Sequence, residues 1–194
     1  MNKFFWLLPL LAGLYSCNGS EKKSSKFFPA LSFIKSQVAH VDTSLYRIIK
    51  IEKKDSLPDT TFIRREEFRH YANDFLTIPD ITVKKTKKKY TETELYDETI
   101  NKIVFTYVPK NADAEIRRQE VIVQPDQQNG DKVESIYIDR WITSKDSSVQ
   151  KKMMWQVDKR FKIVTIIQKN NQPEKIRILE VVWNDFDTSR NLRD

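Results

Sequence analysis

The chain has 194 residues, of which 39% are hydrophobic and 31% charged, and its formal net charge is +7. This hydrophobic fraction excludes an intrinsically disordered chain, and the length suits one folded domain. Because the chain contains a single cysteine, it cannot form an internal disulfide. Beyond residue 26 it contains one glycine, Gly130, which excludes P-loop and dinucleotide-binding motifs and the enzymes that depend on them.

The N-terminal segment has the pattern of a secretion signal. Lys3 precedes an apolar run over residues 4–14, and polar residues follow from Asn18 onward. The apolar run falls within the roughly 7–15 residues of a signal peptide's hydrophobic region. It is shorter than the roughly 17–25 residues of a membrane-spanning helix. The pattern therefore predicts a signal peptide rather than a permanent membrane span.

The end of this signal carries a recognisable processing motif. The sequence Leu14-Tyr15-Ser16-Cys17 resembles the lipobox of bacterial lipoproteins, although Tyr15 is larger than the residue usual there. The resemblance implies that residues 1–16 are removed and that Cys17 becomes the first residue and carries acyl chains. It also implies a partner, the membrane that the acyl chains enter. The alternative is an ordinary secretory signal in which Cys17 has no role.

Residues 17–26 predict a lipidated, flexible tether, because they are polar and lack bulky apolar side chains. They contain no acidic run of the kind that some bacterial lipoproteins use for export to the cell surface. We therefore expect localisation in the cell envelope, at the outer membrane and facing the periplasm. The basic surplus, which in a cytosolic protein would suggest nucleic acid, then points to anionic lipids or envelope polymers, or to a general solubility surplus. We expect no nucleic-acid partner.

The first part of the predicted domain contains two helical patterns. The first covers residues 27–42, and a strand is predicted over 45–53. A turn at 56–59 leads to the second helix, which Asp59, Thr60 or Thr61 could cap and which Pro79 ends. Its apolar stripe has the helical spacing i, i+3, i+4, i+7, i+8 and consists of Phe68, Tyr71, Ala72, Phe75 and Leu76.

The second part predicts antiparallel strands. Residues 80–99 predict either an exposed strand or a long loop. Short apolar stretches then follow near 103–107, 115–124, 133–143, 149–157, 161–168 and 175–183, with a hairpin turn at Gly130. The order predicts an α+β fold in which two N-terminal helices pack on a curved antiparallel sheet of about six to seven strands. We assign residues 27–194 to this single domain, which resembles only uncharacterised envelope lipoproteins.

Two sets of residues are candidate contact sites. The first set is a run of lysines that could contact an anionic surface, although it could equally be a solvated loop or a protected edge strand. The second set is three tryptophans on nearby strands that could line a ligand groove or belong to the core. The lysines are Lys84, Lys85, Lys87, Lys88 and Lys89, and the tryptophans are Trp141, Trp155 and Trp183.

No catalytic, metal or cofactor site is predicted. His40 and His70 are isolated from each other in sequence and fit the surface of helices. The sequence favours a membrane-anchored envelope lipoprotein with a non-enzymatic binding or structural role, whose partner is the membrane and an anionic envelope polymer or a protein. The first alternative is a carrier of a hydrophobic ligand in a cavity between sheet and helices, by analogy of fold with periplasmic carriers of acyl chains. The second alternative is an envelope hydrolase.

Overall fold

Nine antiparallel strands form one sheet in the computed structural model, which describes residues 27–53 and 57–185. The predicted signal peptide, Cys17 and the predicted tether lie outside the described residues. The strands are β1 (Ile48–Lys53), β2 (Pro58–Ile63), β3 (Tyr90–Asp97), β4 (Lys102–Pro109), β5 (Ile116–Gln124), β6 (Lys132–Thr143), β7 (Ser147–Gln156), β8 (Arg160–Lys169) and β9 (Lys175–Val182). Their spatial order is β2-β1-β9-β8-β7-β6-β5-β4-β3. The N-terminal hairpin therefore pairs with the last strand of a seven-strand meander.

The structure does not support the predicted arrangement of two N-terminal helices. The described helices are α1 (Ala30–Thr43), α2 (Arg65–Tyr71), α3 (Asn73–Leu76) and α4 (Lys84–Lys87). The first predicted helix corresponds to α1. The second is divided into α2 and α3 at Ala72, whose backbone leaves the regular helix with φ −79° and ψ −2°.

The prediction of Asp59, Thr60 or Thr61 as a helix cap was wrong. Residues 58–63 instead form strand β2, which pairs with β1. The β-branched residues in this segment favour a strand, and Arg64 occupies the cap position. The carboxylate of Glu67 accepts a hydrogen bond from the Arg64 backbone N–H at 2.8 Å, which helps to start α2.

The antiparallel sheet was predicted correctly, but it has nine strands rather than six to seven. The two additional strands, β2 and β3, are the two edges of the sheet. Edge strands are more exposed than central ones and often carry polar residues. The alternating Thr and Glu residues of β3 therefore produce no apolar pattern. For this reason the sequence of residues 80–99 was compatible with both an exposed strand and a loop.

The core lies on the face of the sheet that packs against α1, α2 and α3. Trp155 and Phe161 are directly opposite on β7 and β8, and their rings stack with centroids 5.4 Å apart. Phe68 of α2 and Phe75 of α3 contact this pair with centroid distances of 5.2–6.4 Å. All four rings are completely buried. The aromatic cluster therefore attaches the short helices to the sheet.

A polar contact supports α3 beside this cluster. The Arg140 guanidinium donates to the backbone oxygen of Asp74 at 3.3 Å and to the hydroxyl of Thr77 at 3.2 Å. It also donates to the carboxylate of Glu115 at 2.7 Å, which fixes its position on the sheet. Lys151 of the neighbouring strand pairs with the Asp74 carboxylate. These contacts hold the end of α3 against β6 and β7.

We predict that Trp155→Ala lowers the free energy of unfolding by about 3–5 kcal/mol, because it leaves a cavity in a fully buried cluster. Trp141→Ala is the matched control, since Trp141 is only half-buried and lies on the opposite face of the sheet. Its cost should be about 1 kcal/mol or less. Urea unfolding of both variants measures the difference, and equal losses would contradict this assignment of the core.

Candidate functional site

A cavity with an excess of basic side chains is a surface groove formed by α4, β3 and the loop after β4. Its volume is about 580 Å³. It is lined by Phe27, Lys84, Lys87, Lys88, Tyr90, Thr91, Glu92 and Lys110. We call this cavity the lysine groove. It contains three of the five lysines that the sequence analysis selected, together with Lys110.

Helical spacing explains which lysines line the groove. α4 is a single turn in which the backbone N–H groups of Thr86 and Lys87 both donate to the Val83 carbonyl at 2.8 Å. Residues at i, i+3 and i+4 share one face of a helical turn. Lys84, Lys87 and Lys88 have this spacing and line the groove. Lys85 does not, and its side chain is exposed outside the groove.

Lys110 joins the groove through strand pairing. Tyr90 at the start of β3 lies opposite Pro109 at the end of β4, so Lys110 follows beside Lys89. The Lys110 backbone N–H donates to the Lys89 carbonyl at 2.8 Å. Its Nζ donates to the Lys88 carbonyl at 2.9 Å. Sequence reasoning missed Lys110 because it lies more than 20 positions after the lysine run, and only the β3–β4 register brings the two together.

Phe27 is also part of the groove. The Phe27 ring packs on Tyr107 with centroids 4.8 Å apart, and the Lys87 Nζ lies 4.7 Å from the Phe27 ring centroid. The Phe28 backbone N–H donates to the Tyr107 hydroxyl at 3.0 Å. Burial raises the pKa of Tyr107, and the nearby Glu92 carboxylate raises it further, so this hydroxyl stays protonated. These contacts hold Phe27 and Phe28 at the groove.

The electrostatics of the groove favour an anion. Four lysines face one carboxylate, that of Glu92. The ammonium groups carry like charges and repel one another, and an anion placed between them would replace repulsion with attraction. Ammonium groups are compact donors suited to phosphate. The arrangement can bind a phosphate or a similar anion.

A second, smaller cavity adjoins the groove. Its volume is about 340 Å³, and its walls are mainly apolar. It is lined by Pro79, Thr86, Lys89, Tyr90, Pro109, Asn111, Asp113, Ala114 and Glu115. We call this cavity the apolar cleft. Lys89, the fifth lysine of the predicted set, faces this cleft and not the groove.

The predicted tryptophan groove is not formed. Trp155 and Trp183 are completely buried in the core, with ring centroids 5.4 Å apart. Trp141 lies on the other face of the sheet, where the Arg117 guanidinium is 5.9 Å from its ring centroid. The inward positions of β6 are Ile136 and Ile138, and side chains alternate along a strand, so Trp141 points away from the other two tryptophans.

The two histidines lie apart on the surface. His40 packs near Tyr46 with ring centroids 6.0 Å apart, and His70 lies 5.3 Å from Tyr71. In the described part of the chain, neither histidine forms an ion pair with a carboxylate. The same residues contain no group of three or more His, Cys, Asp or Glu side chains that could hold a metal ion.

Comparisons with known proteins give no assignment. No protein-family model matches this chain, and no curated protein or solved structure matches it significantly. Within residues 27–53 and 57–185, no helix has the length and apolar character needed to cross a membrane.

Proposed function

We propose that this chain is a membrane-anchored envelope lipoprotein with a non-enzymatic binding role, held through acyl chains on Cys17. In this proposal the lysine groove binds anionic groups on the surface of the membrane to which the protein is anchored. The observation that carries the proposal is the position of Phe27. It lies ten positions after Cys17 in the sequence and lines the groove itself, so a short stretch of chain separates the proposed anchor from the basic site.

The length of the tether supports this arrangement. Ten fully extended residues span at most about 35 Å. A flexible chain of that length has an end-to-end distance of about 17 Å. The groove is therefore confined to a layer close to the lipid headgroups. Surface electrostatic attraction decays over a Debye length of about 8 Å at physiological salt. A chain of ten residues is long enough to let the groove come within this distance of the membrane surface.

The electrostatic attraction is large enough to orient the domain. Each basic residue near an anionic membrane contributes about 1 kcal/mol. The groove brings Lys84, Lys87, Lys88 and Lys110 to one surface, and Lys89 lines the adjoining cleft. We propose the periplasmic face of the outer membrane as the location. Anionic phospholipid headgroups are the components of that face with matching charge.

Structural observations weigh against the two alternatives. A carrier of a hydrophobic ligand needs a cavity between the sheet and the helices, and the aromatic cluster of Trp155, Phe161 and Phe68 fills that space. A histidine-dependent hydrolase needs a histidine oriented by a carboxylate. His40 and His70 instead lie exposed beside tyrosines.

We predict that the groove binds anionic vesicles even without the lipid anchor. The test uses the full chain carrying Cys17→Ala, purified without acyl chains and sedimented with vesicles of phosphatidylglycerol and phosphatidylcholine. Replacing Lys88 and Lys110 with Ala removes about 2 kcal/mol of attraction, which corresponds to a roughly 30-fold weaker partition. Raising the salt concentration should weaken binding of the parent protein more than that of the variant.

The matched control replaces Lys132 and Lys159 with Ala. This pair removes the same charge from the turns at the opposite end of the sheet, so its effect on vesicle partition should be less than threefold. Equal losses for the two double variants would show that net charge alone drives binding. That result would contradict a role for the groove.

A further inference from the structure

The lysine groove and the apolar cleft meet at one side chain. Tyr90 lines both cavities, and it is only 5% exposed. Its hydroxyl donates to the Ile116 carbonyl at 3.0 Å, which fixes the ring between the two spaces. Consecutive residues at the end of α4 and just after it also face different cavities. Lys87 and Lys88 line the groove, and Lys89 lines the cleft. The two cavities therefore lie side by side on the surface with the Tyr90 ring between them, and we call this pair of cavities the depression.

The two parts differ in chemistry. The groove has four lysines and one carboxylate, whereas the cleft has Pro79, Pro109, Ala114 and the Tyr90 ring as apolar walls. The carboxylates of the cleft are Asp113 and Glu115, and Glu115 is already paired with Arg140 at 2.6 Å. This leaves Asp113 and Lys89, of opposite charge, as the other charged groups of the cleft, so an anion is attracted to the groove rather than to the cleft. A ligand that occupied both cavities would place its charge among the lysines and its apolar part in the cleft.

We infer that this depression binds a single anionic amphiphile, with a phosphate in the lysine groove and part of an alkyl chain in the apolar cleft. The inference rests on the proposed function, because it names the ligand class of the same groove. The two volumes, about 580 and 340 Å³, both fall within the range of small-molecule sites. A membrane-anchored domain whose tether ends at the groove lies next to molecules of this class.

The test compares three probes by calorimetry on the full chain carrying Cys17→Ala, each below its micelle concentration. Dodecyl phosphate supplies both the phosphate and the chain, inorganic phosphate supplies only the anion, and dodecyl maltoside supplies only the chain. The expected result is that dodecyl phosphate binds at least tenfold more tightly than either of the other probes. Replacing Lys88 and Lys110 with Ala should weaken the binding of both dodecyl phosphate and inorganic phosphate.

A variant that fills the cleft separates its contribution from that of the groove. Asn111→Trp places a large ring in an exposed position of the cleft wall and should reduce dodecyl phosphate affinity to that of inorganic phosphate. Ala114→Phe fills the cleft from its half-buried side and gives a second, independent test if the first variant does not fold. Asn170→Trp, in a turn that lines neither cavity, is the control and should bind all probes as the parent does.

Two results would overturn the inference. Equal affinities for dodecyl phosphate and inorganic phosphate, unaffected by Asn111→Trp, would show that the cleft is not part of a ligand site. Equal affinities for dodecyl phosphate and dodecyl maltoside would show apolar binding without recognition of the phosphate. Lysine-dependent partition onto anionic vesicles could persist in either case, so failure of this inference is distinguishable from failure of the proposed function.

Discussion

The stacking of Trp155 on Phe161 is the contact on which the rest of the structure depends. The β7–β8 register places the two rings opposite each other, and together they receive Phe68 and Phe75 from two short helices. Helices of four and seven residues are too short to be stable alone, so tertiary packing must hold them. The same sheet positions β3 and β4, whose register brings the lysine segment and Lys110 together. The basic site is thus a consequence of how the sheet is assembled.

The sequence was most informative where packing imposes a simple period. Strands β4 to β9 alternate or carry strong apolar runs, and their predicted positions agree with the structure within a few residues. The edge strand β2 escaped prediction, and β3 was only one of two alternatives for residues 80–99, because exposed edges need no apolar pattern. The break between α2 and α3 also escaped prediction. A helical stripe such as Phe68, Ala72 and Phe75 shows which residues are buried, but it does not show that the backbone leaves the helix at Ala72.

The candidate site was predictable only in part. A run of lysines is visible in the sequence, but the helical turn α4, which separates Lys84, Lys87 and Lys88 from Lys85, was not predicted. Lys110 and Phe27 line the groove only because distant segments of the chain come into contact. A single sequence gives no local signal for such contacts. The three tryptophans do not form a groove. Side chains alternate along β6, where Ile136 and Ile138 point into the core, so Trp141 lies on the opposite face from the buried Trp155 and Trp183.

The proposed role depends on the lipid anchor, because the tether brings the groove to a membrane surface. The most direct test is metabolic labelling with a palmitate analogue in a bacterial host, comparing the wild-type chain with Cys17→Ala and followed by membrane fractionation. We expect the wild-type protein to be labelled and recovered in the outer-membrane fraction, whereas the variant should be unlabelled and largely released. A wild-type protein that is unlabelled and soluble would show that Cys17 carries no lipid and would contradict the membrane-anchored function.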